Sequence, residues 1–223
     1  GGDDGTGPVA SVGAASLQGT LYSAELARDS GFTLMEATRA LNSDHSEFPG
    51  LAPNAAYYAR VKTVGMDGRS SAYFLLGSTL TPAALPGSAI STFTASSTGS
   101  LSAAWGLGDN PAGTEFQASL STSAGGGGAV IIGSWSSSLS NGFAGLAPNT
   151  SYYLRVQARN SAGLAGSYVL AGATHTLAAA PGGSVFQSVQ TTGFTLEWSA
   201  GGNPAGTRYE AQVATTASFG NVN

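Results

Sequence analysis

Leu146-Ala147-Pro148-Asn149-Thr150-Ser151-Tyr152-Tyr153-Leu154-Arg155-Val156-Gln157-Ala158-Arg159 is the stretch whose reading decides the fold. From Tyr152 onward, Tyr152, Leu154, Val156 and Ala158 alternate with Tyr153, Arg155, Gln157 and Arg159. Successive side chains of a strand point to opposite faces, so this spacing predicts a strand with one buried and one polar face. A slip of one residue would bury two arginines, which pins the register.

The head of this stretch is a repeated phrase. Gly145-Leu146-Ala147-Pro148-Asn149 matches Gly50-Leu51-Ala52-Pro53-Asn54, 95 residues earlier. A second phrase occurs three times, as Gly19-Thr20-Leu21-Tyr22, Gly113-Thr114-Glu115-Phe116 and Gly206-Thr207-Arg208-Tyr209, at separations of 94 and 93 residues. A period of that size is a whole domain, too long for a solenoid unit. The expected division is 1–82, 83–178 and 179–223, with only the middle copy seen from start to finish. That copy shows short alternating runs such as Leu101–Trp105 and Phe116–Leu120, punctuated by Gly, Pro, Asn and Ser, which is an all-β pattern.

Composition narrows the function classes. The 223 residues are 42% hydrophobic and 9% charged, with net charge −4 and no cysteine. This is enough apolar material for more than one core, and it excludes disulfide staples and thiolate metal sites. Residues 1–69 hold 13 of the 20 charged groups, and Lys62 is the one lysine. Without a basic stripe, nucleic acid and anionic membrane are not expected partners. No stretch has the roughly 20 consecutive apolar residues of a spanning helix, so membrane insertion is not expected. Lack of Cys, scarce Lys and abundant Ser, Thr and Gly fit an exported bacterial protein.

In the middle copy the residues reach a known family. Leu146-x-Pro148-x-Thr150-x-Tyr152-x-x-Arg155-Val156-x-Ala158-x-Asn160-x-x-Gly163, with Trp105 upstream, resembles the fibronectin type III domain. The resemblance implies tandem immunoglobulin-like β-sandwiches of seven strands, A to G. In the middle one, Trp105 would lie on strand B under the core, Leu146 would plug the E–F corner and Tyr152 would form a tyrosine corner opening strand F. The first copy repeats Leu51, Pro53, Tyr57, Arg60 and Val61 but has Ala55 for Thr150 and Gly65 for Asn160, which predicts a looser corner. Its strand A is missing, and residues 8–17 are expected as a worn strand B with Val9 and Val12 in the core. The third copy repeats Trp198 and Asn203-Pro204-Ala205-Gly206-Thr207, and is expected to hold strands A, B and C. The unfinished copies would need completion, by further sequence or by strands of a neighbouring chain. The short apolar linkers 79–87 and 174–182, each ending in Pro-Gly, favour a semi-rigid rod over freely jointed domains.

Chemistry-bearing motifs are few. There is no G-x-S-x-G elbow, phosphate-binding loop or H-E-x-x-H helix. His45 in Asp44-His45-Ser46-Glu47 has the residue types of a metal ligand set but no second histidine, and reads as a solvated loop. His175 reads as interdomain packing. Gly125–Gly128 reads as the turn after strand C rather than a phosphate cradle. Asp3 and Asp4 lack the spaced acidic ligands of a calcium loop. Asn149-Thr150-Ser151 matches a glycosylation acceptor but coincides with the E–F corner. No cofactor and no catalytic residue is expected.

The candidate binding residues are Tyr58, Arg60, Tyr153 and Arg155, a Tyr-x-Arg stripe on the outer face of strand F in both readable copies, together with Trp135. Two readings of the stripe stand side by side, an interface rich in aromatics and arginine, or cross-strand packing on an exposed sheet face. For Trp135 they are stacking on a sugar and filling the sandwich edge. Two functions compete accordingly. One is a non-catalytic structural or adhesive extracellular or cell-surface protein, a stalk or fibre subunit that self-associates. The other is a set of spacer or glycan-binding modules from a secreted polysaccharide-degrading enzyme. The partners expected are neighbouring domains, other copies, and glycan or a cell-surface protein.

Overall fold

The structure, a computed structural model, describes residues 20–89, 92–217 and 219. Among them the first copy forms β1 (Leu21–Ala27), β2 (Met35–Leu41), β3 (Ala56–Val64) and β4 (Phe74–Leu80). The middle copy forms β5 (Phe93–Ser96), β6 (Ser100–Ala104), β7 (Glu115–Ser121), β8 (Val130–Ile132), β9 (Ser140–Ala144), β10 (Ser151–Arg159) and β11 (Val169–His175). The third contributes β12 (Gly182–Gln187) and β13 (Thr195–Ser199). No helix occurs among the described residues. Contacts group the chain into two compact units, one of Gly1–Leu85, Gly108–Glu115 and Ala158–Ser167, the other of Pro86–Leu107, Phe116–Gln157 and Tyr168–Asn223.

In the middle copy two antiparallel sheets, ordered β5-β6-β9 and β11-β10-β7-β8, bury facing layers. Leu101, Ala103 and Phe143 come from one, and Phe116, Leu120, Leu154 and Val156 from the other, none more than 2% exposed. The alternation along β10 is the predicted one, with Tyr152, Leu154, Val156 and Ala158 buried and the residues between them half-buried. Each such side chain contributes about 1.5–3 kcal/mol by leaving water, and together they hold the sheets face to face. Trp105 follows β6 at 5% exposure, its backbone N–H donating to Leu139 O at 3.0 Å, so it lies under the core as expected.

The first copy forms one sheet, β2-β1-β3-β4, with the order and pairing of β8-β7-β10-β11. Its expected strand B at 8–17, with Val9 and Val12, lies outside the described residues. In the third copy β12 and β13 form a hairpin pairing Gly182 with Ser199 and Gln187 with Thr195. The expected strand C of this copy does not form, and 208–213 hold no strand. In the middle copy strand C is β7, whose ladder neighbours are β8 and β10. Among the described residues no strand pairs with 208–213, and a segment without a ladder partner forms no strand.

Candidate functional site

The E–F corner shows how the repeated phrase acts. Leu146 is 7% exposed, and the Tyr152 hydroxyl accepts from Ala147 N–H at 3.0 Å, tying the start of β10 back to the phrase before it. Thr176 Oγ1 accepts from Thr150 N–H at 3.0 Å and donates to Ala147 O at 2.7 Å, closing the same corner from the end of β11. The first copy repeats these three bonds. Tyr57 accepts from Ala52 N–H at 2.8 Å, and Thr81 Oγ1 accepts from Ala55 N–H at 3.0 Å and donates to Ala52 O at 2.8 Å. The expected looser corner shows in one bond: Thr150 Oγ1 donates to Pro148 O at 2.8 Å, and Ala55 has no hydroxyl to match it. Arg28 Nη1 also donates to the Tyr57 hydroxyl, and its guanidinium lies 4.8 Å from the Tyr57 ring centre.

Strand order, the tryptophan under the core and the corner tyrosine now coincide in one copy. The middle copy has the seven strands in two facing sheets that the fibronectin type III resemblance implies. No family model matches the chain, and no curated protein matches it. Among solved structures it is similar to the FN1–FN3 domains of chicken CNTN1, at 17% identity and TM-score 0.34, covering 71% of this chain and 57% of that one. It is also similar to a two-domain fibronectin type III segment of chicken tenascin, at 12% identity and TM-score 0.48, covering 70% of this chain and 84% of that one. The chain thus spans 57% of the CNTN1 structure's length.

The outer face of each F strand carries the predicted stripe. On β3, Tyr58 and Arg60 are half-buried. Arg60 stands opposite Glu25 of β1 and donates to its Oε2 from Nε at 2.8 Å and from Nη2 at 2.6 Å. Phe32 and Tyr73 cover the guanidinium at 4.1 and 3.9 Å from their ring centres, and the Tyr73 hydroxyl donates to Glu25 Oε1. Burial pushes the Glu25 carboxyl up, but the bonds from Tyr73 and Arg60, with the charges of Arg60 and Lys62, outweigh it and hold the group below its ordinary value. At the β1–β2 turn, Asp29 Oδ1 accepts from Leu34 N–H at 2.6 Å, the main reason its carboxyl also lies low.

On β10, Tyr153 and Arg155 are half-buried; the ion pair of this face is Arg159 with Glu115, and Arg155 adjoins an amide network instead. Arg155 Nη1 donates to Gly125 O at 2.9 Å, and its guanidinium lies 5.5 Å from the Tyr168 ring centre. Gln117 Oε1 accepts from the Tyr168 hydroxyl and from Gln157 Nε2, each at 2.9 Å. Burial pushes the Tyr168 hydroxyl pKa up, partly offset by the Arg155 charge. The glycine run is the β7–β8 turn: Gly126 has φ 87°, and a Cβ there would run into Arg155 Nη1.

The structure therefore places Tyr58 with Arg60 on one sheet and Tyr153 with Arg155 on another, while half-buried Trp135 belongs to the β8–β9 connection. His45 Nδ1 lies 3.4 Å from Asp44 Oδ1, and no cluster of three or more His, Cys, Asp or Glu side chains fit to hold a metal occurs among the described residues. His175 is exposed at the end of β11 and does not pack as the sequence reading expects. No helix among the described residues is long and apolar enough to cross a membrane.

The residues that sequence reasoning missed are in the phrases themselves. Asn54 and Asn149, at φ 47° and 46°, turn the chain ahead of the F strands. Asn54 Nδ2 donates to Thr114 Oγ1 at 2.8 Å, and Asn149 Nδ2 to Thr207 Oγ1 at 2.8 Å. Asn110 brackets Ala84, accepting from its N–H at 2.8 Å and donating to its C=O at 3.0 Å. Asn203 brackets Ala179 in the same way, both bonds at 2.8 Å. The first set lies within one compact unit and the second within the other. Their signal was recurrence at the domain period, which marks the residues but does not pair them.

Proposed function

We propose that this chain is a non-catalytic structural protein of the extracellular space, its fibronectin type III copies acting as a stalk or fibre segment. The supporting observation is where its repeated side chains go. The Asn54–Thr114 and Asn149–Thr207 bonds, and those of Asn110 and Asn203 to Ala84 and Ala179, run between the base phrase or linker of one copy and the opening phrase of the next. Residues repeated for this purpose serve connection, and Arg60 likewise spends its donors and both ring-facing surfaces within its own sheet.

A near-neutral surface with 9% charged residues fits a protein that lies against like molecules, since charge is what ordinarily keeps sheet edges apart. The second reading, spacer or glycan-binding modules of a secreted enzyme, draws on Trp135, a half-buried aromatic of the β8–β9 connection. Protease shaving of intact source cells tests the extracellular assignment. The chain is expected to be cleaved without lysis, and a chain cleaved only after lysis overturns the proposal.

A further inference from the structure

In the middle copy the sheet β11-β10-β7-β8 ends on a short strand, β8, made of Val130, Ile131 and Ile132, all apolar and β-branched. Among the described residues its ladder neighbour is β7, with Ile131 opposite Leu120, and Val130 and Ile132 opposite Ser121 and Ser119. Leu120 is fully buried, so Ile131 lies at the rim of the inner face, while Val130 and Ile132 lie on the outer face, 41% and 60% exposed. Backbone bonds show where the far edge of β8 points. Gly133 N–H donates to Ala118 O at 2.8 Å, and Ala129 O accepts from Thr122 N–H at 3.1 Å. Bonding alternates along an antiparallel ladder, so the N–H and C=O groups of Val130 and Ile132 are directed away from β7.

The sequence around this edge carries no charge. From Phe116 through Leu154 there is no Asp, Glu, Lys, Arg or His. The first copy treats the same position differently, since β2, at the matching end of its sheet, carries Glu36 and Arg39, both exposed. Charged side chains on an end strand oppose pairing with another chain, because they would have to give up water or meet their like. The edge of β8 offers its backbone groups without that protection, and its outer face adds two exposed side chains of the kind that pack well across strands.

We propose that β8 pairs antiparallel with β8 of a second copy of this chain, about a two-fold axis at Ile131, so that one sheet of each middle copy joins into a single continuous sheet. Self-complementarity selects a second copy as the occupant. A two-fold across a sheet keeps outer face beside outer face, so same-face residues stand opposite each other, and centring on Ile131 is the register that overlaps all of β8. Val130 of each chain then faces Ile132 of the other, where the outward N–H and C=O groups form hydrogen-bonded pairs. The two Ile131 residues meet at the closer, non-hydrogen-bonded position between them. β-branched side chains oppose one another at every position, and no charge opposes its like. Such a contact is isologous and closes at two chains. The inference names the partner within the structural reading and rests on it.

Light scattering on the full 223-residue chain should show a mass that rises with concentration from 22.0 kDa to twice that value and stops there. Ile132→Lys, a change on the exposed outer face, should hold the chain at 22.0 kDa while leaving its thermal melt in dilute solution unchanged. Register is read with single thiols, since the chain has no cysteine of its own. Under mild oxidation Ile131→Cys should trap a covalent dimer, because its two copies face each other within disulfide reach. Val130→Cys should not, because its two copies stand about 8 Å apart along the paired strands, too far to bridge. A wild-type chain that stays monomeric or grows past two overturns the inference. So does Ile132→Lys that dimerises like wild type, or trapping that fails at Ile131→Cys or is equal at Val130→Cys. A monomer cleaved on intact cells would defeat this inference alone, and a dimer cleaved only after lysis would defeat the extracellular assignment alone.

Discussion

The side-chain amide of Asn54 donates to Thr114 Oγ1 at 2.8 Å, and the same bond recurs at the same length between Asn149 and Thr207. Both asparagines adopt left-handed backbone, at φ 47° and 46°, which Asn tolerates better than most residues. Asn149→Ala therefore loses a hydrogen bond and incurs backbone strain, and should destabilise by about 2–3 kcal/mol. Asn149→Gly keeps the backbone conformation and should lose only about 0.5–1.5 kcal/mol. Denaturant midpoints followed by tryptophan fluorescence separate the two, and equal losses would contradict the split.

The tyrosine corners offer a cleaner deletion. Tyr152→Phe removes the acceptor of Ala147 N–H without changing the buried ring. Leaving that donor unpaired should cost about 1–3 kcal/mol. Tyr57→Phe should cost at least as much, because Arg28 loses a partner as well as Ala52. Thermal melts of the two variants check the order, and a neutral Tyr57→Phe would contradict it.

Acid should act first on the Glu25 cluster. A carboxyl held below its ordinary value contributes stability that is fully present above the ordinary carboxylate range and is lost as pH falls through the lower, folded value. Glu25→Gln removes this contribution and should flatten the fall in stability below about pH 4.5, with Asp29 still contributing a slope. Urea midpoints measured across that range in both proteins test this, and parallel curves would refute it.

For the glycan reading, Trp135→Ala is the decisive variant. If the modules bind polysaccharide through that ring, retention on the matching affinity gel should fall at least tenfold, a loss of about 1.4 kcal/mol. Unchanged retention assigns Trp135 to packing at the sandwich edge.

The Arg155 turn provides a control on the stripe. Gly126→Ala places a Cβ against Arg155 Nη1 at a backbone φ of 87°, so the arginine must swing away from Gly125 O. A loss of about 1–2 kcal/mol is expected, mostly from the strained backbone. A stability change near zero would mean that the turn relaxes freely.

Much of this was legible in the chain. Alternation from Tyr152 to Ala158 set the buried face of β10, and the spacing of the Leu-x-Pro-Asn and Gly-Thr phrases set the domain period. These signals are local, because a strand's two faces and a corner's turn are written within a few neighbouring residues. Tertiary structure decided the rest. Residues 208–213 follow Gly206-Thr207 as β7 follows Gly113-Thr114, yet form no strand, since a ladder needs a partner and none pairs with them among the described residues. Asn54 and Thr114 each stood out in the sequence, but only folding across 60 residues made them one bond. Arg60 stood out in the sequence as part of the stripe, but only the fold brought Glu25, Phe32 and Tyr73 around it. Composition and periodicity determine which side chains turn inward, whereas what an outward or a polar side chain meets depends on segments brought near it by the fold.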